Sequence, residues 1–402
     1  MSRLDELIQE LCPNGVEYKT VSSISKNITS GGTPKTGVAE YYNGDIPWLR
    51  TQEVNFDDIT DTGVKITQLG VDNTSAKWIP EKCVIVAMYG ATVGKVAINK
   101  IPMTTNQACC NIELDKEKAL YRYVFHCLCN QYQYIKSLGQ GSQTNINAQI
   151  VKKLTIPVPP LEVQSEIVRI LDNFTELTAE LTAELTARKK QYEYYRNKLL
   201  SFNELIKSGG CQLKKLREIA EYSHKRINAI AMKKDNYVGV DNLLPNKAGK
   251  VGSNYVPTKG NLTAYVIGDV LIGNIRPYLK KIWLAYNEGG ASGDVLVIHL
   301  TDQSVDVKYL YQVLADDKFF NYNMQFAKGA KMPRGSKQKI MDYIIPVPSL
   351  EEQRRIVSIL DKFDMLTTSI SEGLPKEIEL RRKQYEYYRN QLLSFPDNKT
   401  TA

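Results

Sequence analysis

Between residues 161 and 200, apolar side chains fall at Ile167, Ile170, Phe174, Leu177, Leu181, Leu185, Tyr192, Tyr195 and Leu199, mostly three or four apart, with polar Arg188 in the one wide gap. That rhythm puts them on one seam of a coiled-coil-like helix. At 1.5 Å per residue it would be about 60 Å long. The same rhythm returns at Ile356, Leu360, Phe363, Leu366, Ile370, Ile378, Tyr385, Tyr388 and Leu392. Gly373 and Pro375 interrupt it and predict a kink or a break. Both stretches follow an IPVP tract, which proline holds extended and deprives of donors.

The two stretches are copies. Residues 156–172 read IPVPPLEVQSEIVRILD and residues 345–361 read IPVPSLEEQRRIVSILD. RKKQYEYYRNKLLSF (188–202) returns as RRKQYEYYRNQLLSF (381–395), differing only at Lys189/Arg382 and Lys198/Gln391. Between these blocks the first copy carries TELTAELTAELTAR (175–188), a tandem four-residue unit that a helix can gain or lose without breaking. A weaker echo links Glu204-Leu205-Ile206 to Glu6-Leu7-Ile8, and residues 211–220 to residues 16–25. The start of the chain therefore reads as the tail of a repeat, which predicts a quasi-circular order with the beginning completing the end.

The segments before each copy hardly resemble one another. They alternate short apolar runs with Gly and Asn turns, as in KWIPEKCVIVAMYGATVGKVAI (77–98) and its partial match AYVIGDVLIGNIRPYLKKIWLAY (264–286), and so predict short strands. One helix is expected in each, near 117–137 and 307–327. The expected fold class is α+β: two mixed α/β heads separated by two long antiparallel coiled-coil helices, with pseudo-two-fold symmetry. The boundaries are 1–155 (repeat tail and first head), 156–205 (central helical spacer), 206–344 (second head) and 345–402 (C-terminal helical spacer).

A length of 402 residues allows two or three domains, and the net charge of +8 favours an acidic partner only modestly. The seven cysteines form no CxxC pair and fit buried thiols in a reducing compartment. No apolar run reaches the length of a membrane span, and MSRLDELIQEL is too charged for a signal region, so the expected location is the cytoplasm.

The doubled IPVP-PLEEQ-type opening, the long helix, RKKQYEYYR and LLSF, each after a variable segment, resemble the specificity (S) subunit of type I restriction–modification systems over essentially the whole chain. The TAEL units are similar to those of the type IC branch. The resemblance implies two target recognition domains, each binding one half of a split double-stranded DNA site. It implies helices that set the spacer and dock two methyltransferase (M) subunits, with restriction (R) subunits joining through the M2S complex. It further implies no catalytic centre and no cofactor on this chain, with S-adenosylmethionine, ATP and Mg2+ on the partner subunits.

The residues agree with a non-catalytic reading. No [DN]-P-P-[YF] tetrapeptide is present. Gly90-Ala-Thr-Val-Gly94-Lys95 imitates a phosphate loop but has three spacer residues and Val96 in place of Ser or Thr. His126-Cys127-Leu128-Cys129 lies in an amphipathic stretch without a second ligand pair and reads as a packed face rather than a zinc site.

For DNA contact, residues 327–339 (AKGAKMPRGSKQK) hold Lys328, Lys331, Arg334, Lys337 and Lys339 and no acid, which suits phosphates. The matching stretch in the first head, 139–149, is uncharged and offers Gln143, Thr144 and Asn145. Further candidates are Thr33 and Lys35, then Arg50 and Gln52, whose chemistry suits guanine and adenine edges. In the second head they are His224, Lys225 and Arg226, Asn242, Asn274 and Arg276, with Tyr278, Lys280 and Lys281. A solvated loop is the plain alternative for each. Of the tyrosines ending the helices, Tyr192 and Tyr195 are expected inside, and Tyr194 and Tyr387 toward a docked partner. Two other readings stay open: a coiled-coil scaffold without DNA specificity, and an enzyme, which the missing motifs disfavour.

Overall fold

The computed structural model describes residues 2–139, 145–207, 209–367 and 373–398. The chain forms two compact units, Met1–Ala179 with Leu380–Ala402, and Glu180–Glu379. The division falls inside the first long helix, Leu161–Leu199, and inside the terminal helix, Gly373–Leu392.

Among the described residues of unit one, the main sheet has five strands in the order Ser25–Ser30, Cys109–Leu114, Val84–Ala87, Val96–Asn99, Asp58–Ile59. The first four are mutually antiparallel neighbours and the last pairs parallel. The apolar run Val84–Ala87 is buried at every position because it is central and covered on both faces. Its alternation sorts two cores. Val84, Val86, Val96, Ile98, Cys110 and Ile112 face a layer holding Tyr123, Val124, Leu128, Val163, Ile167 and Leu171. Ile85, Ala87, Ala97 and Cys109 face the other way, with Leu49 and Met103. Those two belong to or adjoin a smaller sheet in the order Lys65–Ile66, Tyr42–Leu49, Thr104–Thr105.

Unit two repeats this plan with almost none of the same residues. Its sheet runs Ala220–Tyr222, Val295–Leu300, Val270–Gly273, Ile282–Leu284, antiparallel throughout and, among the described residues, without a counterpart of the parallel fifth strand. Val270, Ile272, Ile282, Leu296 and Ile298 face the helices, while Leu271, Trp283, Val295 and Val297 face a second sheet through Val238, Tyr265 and Ala291. The parallel pair Tyr42–Leu49 with Thr104–Thr105 has its counterpart in Tyr237–Val238 with Gly289–Ala291. In both units the IPVP strand pairs antiparallel, Thr155–Pro157 with Tyr18–Thr20 and Ile344–Pro348 with Cys211–Lys215. The divergent heads thus share a central four-strand order and a parallel pair, written in two sequences.

The quasi-circular order is present. Val16 N–H donates to Pro396 O (2.9 Å), Asn398 N–H to Val16 O (3.2 Å) and Tyr18 Oη to Phe395 O (2.9 Å). Leu393 and Phe395 enter the same core as Leu4 and Val16. Gly15, at φ +83°, is required there, since a Cβ would stand 2.3 Å from Pro396 O.

One expectation needs adjusting. The single helix in each head is two: Tyr121–Asn130 then Tyr132–Ser137, and Val307–Leu314 then Asp317–Gln325. In the second head Asp316 caps the new helix by accepting from Lys318 N–H at 2.8 Å, which ends the old one. The interruption near Gly373 is seen: Leu350–Thr367 and Gly373–Leu392 are separate helices, and Gly373 has φ +77°, outside the helical region. Residues 368–372 lie outside the described residues.

Candidate nucleic-acid interface

The repeated IPVP-xLExQ motif acts as a joint. Gln164 is fully buried; it donates to Pro159 O (2.8 Å) and Lys118 O (3.2 Å), and accepts from Leu120 N–H (2.9 Å). Gln353 does the same with Pro348 O (2.8 Å), Ser304 O (2.9 Å) and Asp306 N–H (2.7 Å). Tyr123 and Tyr309 lock the other side by donating to Pro157 O (3.1 Å) and Pro346 O (2.8 Å). Each head is therefore seated rigidly on its spacer helix.

A polar hub completes the seat. His126 is fully buried and bonds Asp172 Oδ1 (2.8 Å) and Tyr385 Oη (2.9 Å), so both ring nitrogens are engaged within the fold. Arg122 clasps Asp172 at 2.6 Å and Asp58 at 2.9 Å. Burial lowers the His126 imidazole from its ordinary value, against the pull of Asp172. Burial alone would raise the Asp172 carboxyl, but hydrogen bonds from His126 and Arg122 outweigh it and hold the carboxyl low. The second unit places Gln312 at this position, bonded to Asp361 (3.2 Å), Asp364 (3.1 Å) and buried Arg196 (2.8 Å). Cys127 and Cys129 are buried, and burial pushes Cys83, Cys110 and Cys129 up to about 12. They pack, as the sequence implied.

The phosphate-loop lookalike is a hairpin turn between Val84–Ala87 and Val96–Asn99, and Lys95 Nζ donates to Asn55 Oδ1 at 2.7 Å. Its counterpart is the turn from Asn274 to Lys281, where Lys281 Nζ donates to Val240 O at 2.7 Å.

The loops expected to correspond do so at their described ends. Ile146 N–H donates to Met88 O (3.0 Å) and Gly335 N–H to Asn274 O (3.2 Å), each at the end of a central strand. In unit two Lys328 and Arg334 close their loop with reciprocal bonds of 2.9 Å, and Arg276 N–H donates to Pro333 O at 2.7 Å. The fold thus gathers Asn274, Arg276, Lys328, Lys331 and Arg334 into one loop cluster. Lys328, Lys331, Lys337 and Arg276 are exposed. Arg334 is paired with Asp294 (2.9 Å), and Lys280 shares Asp317 (2.8 Å) with Lys247 (3.1 Å). Their cations are therefore partly neutralised in the free protein. Asn242 and Asn274 are turned inward, each 6% exposed, Asn242 accepting from Gly239 N–H (2.8 Å) and Asn274 donating to Gly335 O (3.3 Å). They shape turns instead of presenting an amide to a ligand. Lys225 and Arg226 are exposed on the edge strand Arg226–Asn228 and its approach.

In unit one, Thr33, Lys35 and Gln52 are exposed. Gly31 and Gly32 press this loop against the sheet, where a Cβ on Gly31 would meet Thr105 O at 1.9 Å, and Trp48 Nε1 donates to Gly32 O at 2.9 Å. Thr33 Oγ1 donates to Gln107 Oε1. Arg50 is partly buried and paired with Glu53 at 3.3 Å, which ties down the guanidinium expected to meet a base. Asn145 is half-buried, and Gln143 and Thr144 lie outside the described residues. Sequence reasoning missed the counter-acids Asp294 and Asp317. It also missed Tyr89, 39% exposed beside the first turn, although its offset from Ile275 follows from the strand match.

On the helices, Tyr194 and Tyr387 are 60% and 61% exposed. Tyr192 and Tyr195 stack on Phe363, each at 5.7 Å, and Tyr388 stacks on Phe174 at 5.3 Å. Among the described residues no helix is long and apolar enough to cross a membrane.

Residues 13–188 and 202–380 match the family described as type I restriction modification DNA specificity domain. The EcoR124I/EcoR124II specificity subunit of Escherichia coli is 35% identical over 322 residues, covering 72% of this chain and 74% of the relative. The EcoprrI specificity subunit of Escherichia coli is 31% identical over 402 residues, covering 92% and 93%. The S subunit structure from M. genitalium overlays with a TM-score of 0.56 at 17% identity, over 95% of this chain and 97% of that one. A chain from a structure of type I restriction–modification complex assembly overlays at 0.58 and 17% identity, over 95% and 98%. With two matched domains that fill most of its length, this chain belongs to the type I restriction–modification DNA specificity family.

Proposed function

We propose that this chain gives a type I restriction–modification assembly its DNA sequence specificity, each head binding one half of an asymmetric bipartite site. The repeated helices set the number of unread base pairs between the halves. They also dock two methyltransferase subunits through faces that include Tyr194 and Tyr387, and restriction subunits join through these. The chain itself is non-catalytic and acts in the cytoplasm. S-adenosylmethionine, ATP and Mg2+ belong to the partner subunits. Residues 1–155 and 206–344 supply the recognition domains, and 156–205 and 345–402 the spacers.

One observation carries this reading: two heads built on the same central strand order present different chemistry at matched loops, for example Asn145 in one and Arg334 in the other. A scaffold would have no use for such divergence on a conserved frame. Methylated adenines mapped genome-wide with and without the gene should reveal one bipartite motif with unlike halves. Replacing residues 210–344 with another head should change one half alone. A palindromic motif, or changes in both halves, would refute the proposal.

A further inference from the structure

The turns that join the two central strands of each head share a closing hydrogen bond and an inner one, Val93 N–H to Gly90 O (3.2 Å) matching Leu279 N–H to Arg276 O (2.9 Å). Ala87 N–H donates to Lys95 O at 2.9 Å, and Gly273 N–H to Lys281 O at 3.0 Å. In the first head the left-handed positions are Gly90 (φ +80°) and Gly94 (φ +81°). In the second they are Arg276 and Lys280, both at φ +52°. A Cβ in this region crowds the following carbonyl, so glycine is the residue the turn itself favours. The second head places long cations there against that preference.

Lys280 has a reason within the fold, its ion pair with Asp317 at 2.8 Å. Arg276 has none: its guanidinium is exposed, with no hydrogen-bond or ion-pair partner among the described residues. Its backbone, by contrast, is held on several sides. Arg276 N–H donates to Pro333 O (2.7 Å), Leu279 N–H to Arg276 O (2.9 Å), and Asn246 N–H to Leu279 O (2.8 Å). Strain held by an over-determined backbone under an unpartnered side chain marks a functional position.

We propose that Arg276 is a specificity-determining residue of the second head, its guanidinium reading paired acceptors on a base edge, with guanine as the matching base. The inference rests on the proposed DNA-reading function. A fixed fork suits two acceptors in one plane, whereas phosphate neutralisation needs only mobile charge, which Lys328 and Lys331 supply.

The test co-expresses the full chain with its methyltransferase subunits, as wild type, Arg276→Gly and Arg276→Lys. Arg276→Gly installs the first head's own residue, so its melting temperature should equal or exceed that of wild type. Methylation mapping should show one position of one half-site losing its base preference in both variants, with the other half intact. Duplexes substituted at that position should show discrimination falling about five- to a hundredfold. An unchanged motif with uniformly weaker binding at every substituted duplex would mean a phosphate contact and would overturn the proposal. So would degeneracy in the other half. A wild-type complex with no bipartite motif would instead remove the reading on which the proposal rests.

Discussion

Gln164 and Gln353 show how a single repeated side chain seats a whole head. Each satisfies a backbone N–H and two carbonyls where no water reaches. Gln353→Ala should therefore destabilise its unit by about 2–3 kcal/mol, most of it the penalty of orphaned buried groups, as read by denaturant unfolding. The hub of His126, Arg122 and Asp172, whose aspartate lies on the same helix as Gln164, gives unit one a pH response. The folded imidazole of His126 lies below its ordinary value of 6.5, so the unfolded chain binds that proton more readily. Stability from this site is complete above that value and is lost as the pH falls below it. Asp172 is also held below its ordinary 3.8, so its contribution is lost only in stronger acid. Between about pH 7 and pH 5 the melting temperature should fall, and His126→Gln, which copies Gln312, should flatten that slope. An unaltered slope would exclude His126 as its source.

At the scale of elements, the spacer helices were legible because a coiled-coil seam is a local rhythm. Ile167, Leu171, Ile356 and Leu360 are fully buried, and Leu181 and Leu185 are half-covered within an otherwise exposed stretch. One extra Thr-Ala-Glu-Leu after Leu185 lengthens this helix by about 6 Å with its seam nearly in phase. It should leave both half-sites unchanged and add one or two unread base pairs between them, as methylation mapping would show. Altered half-sites would mean that the helix does not set the distance. The exposed Tyr194 and Tyr387 need no partner to fold. Changing both to Glu should weaken methyltransferase binding at least tenfold in titration calorimetry, with the melting temperature of the free chain unchanged. The heads' helices were read less well, because the stop at Asp316 depends on a capping bond rather than on periodicity.

For the molecule as a whole, the closing segment joins the two ends of the chain. Ending the chain after Ser394 removes buried Phe395 and the acceptor for Val16 N–H. The loss should cost unit one about 3–5 kcal/mol and lower its unfolding midpoint, with unit two unaffected. An unchanged midpoint for unit one would show that the closing segment adds nothing to its core.

The sequence by itself determined the doubled frame, the seams, the central strands and the circular closure. These follow from periods of two and of 3.6 residues and from repeated words, which need no knowledge of distant neighbours. Only the tertiary structure decided which candidate side chains face outward. Asn242 and Asn274 are polar, yet the fold turns them inward to hold turns. Arg334 and Lys280 looked like free cations until the fold brought Asp294 and Asp317 beside them, 40 and 37 residues away in the chain. Arg276 has meaning only beside Gly90, because its unusual backbone is visible once the two turns are matched in space. Charge pairing and backbone handedness are set by contacts between remote segments, and no local pattern of apolar and polar residues encodes them.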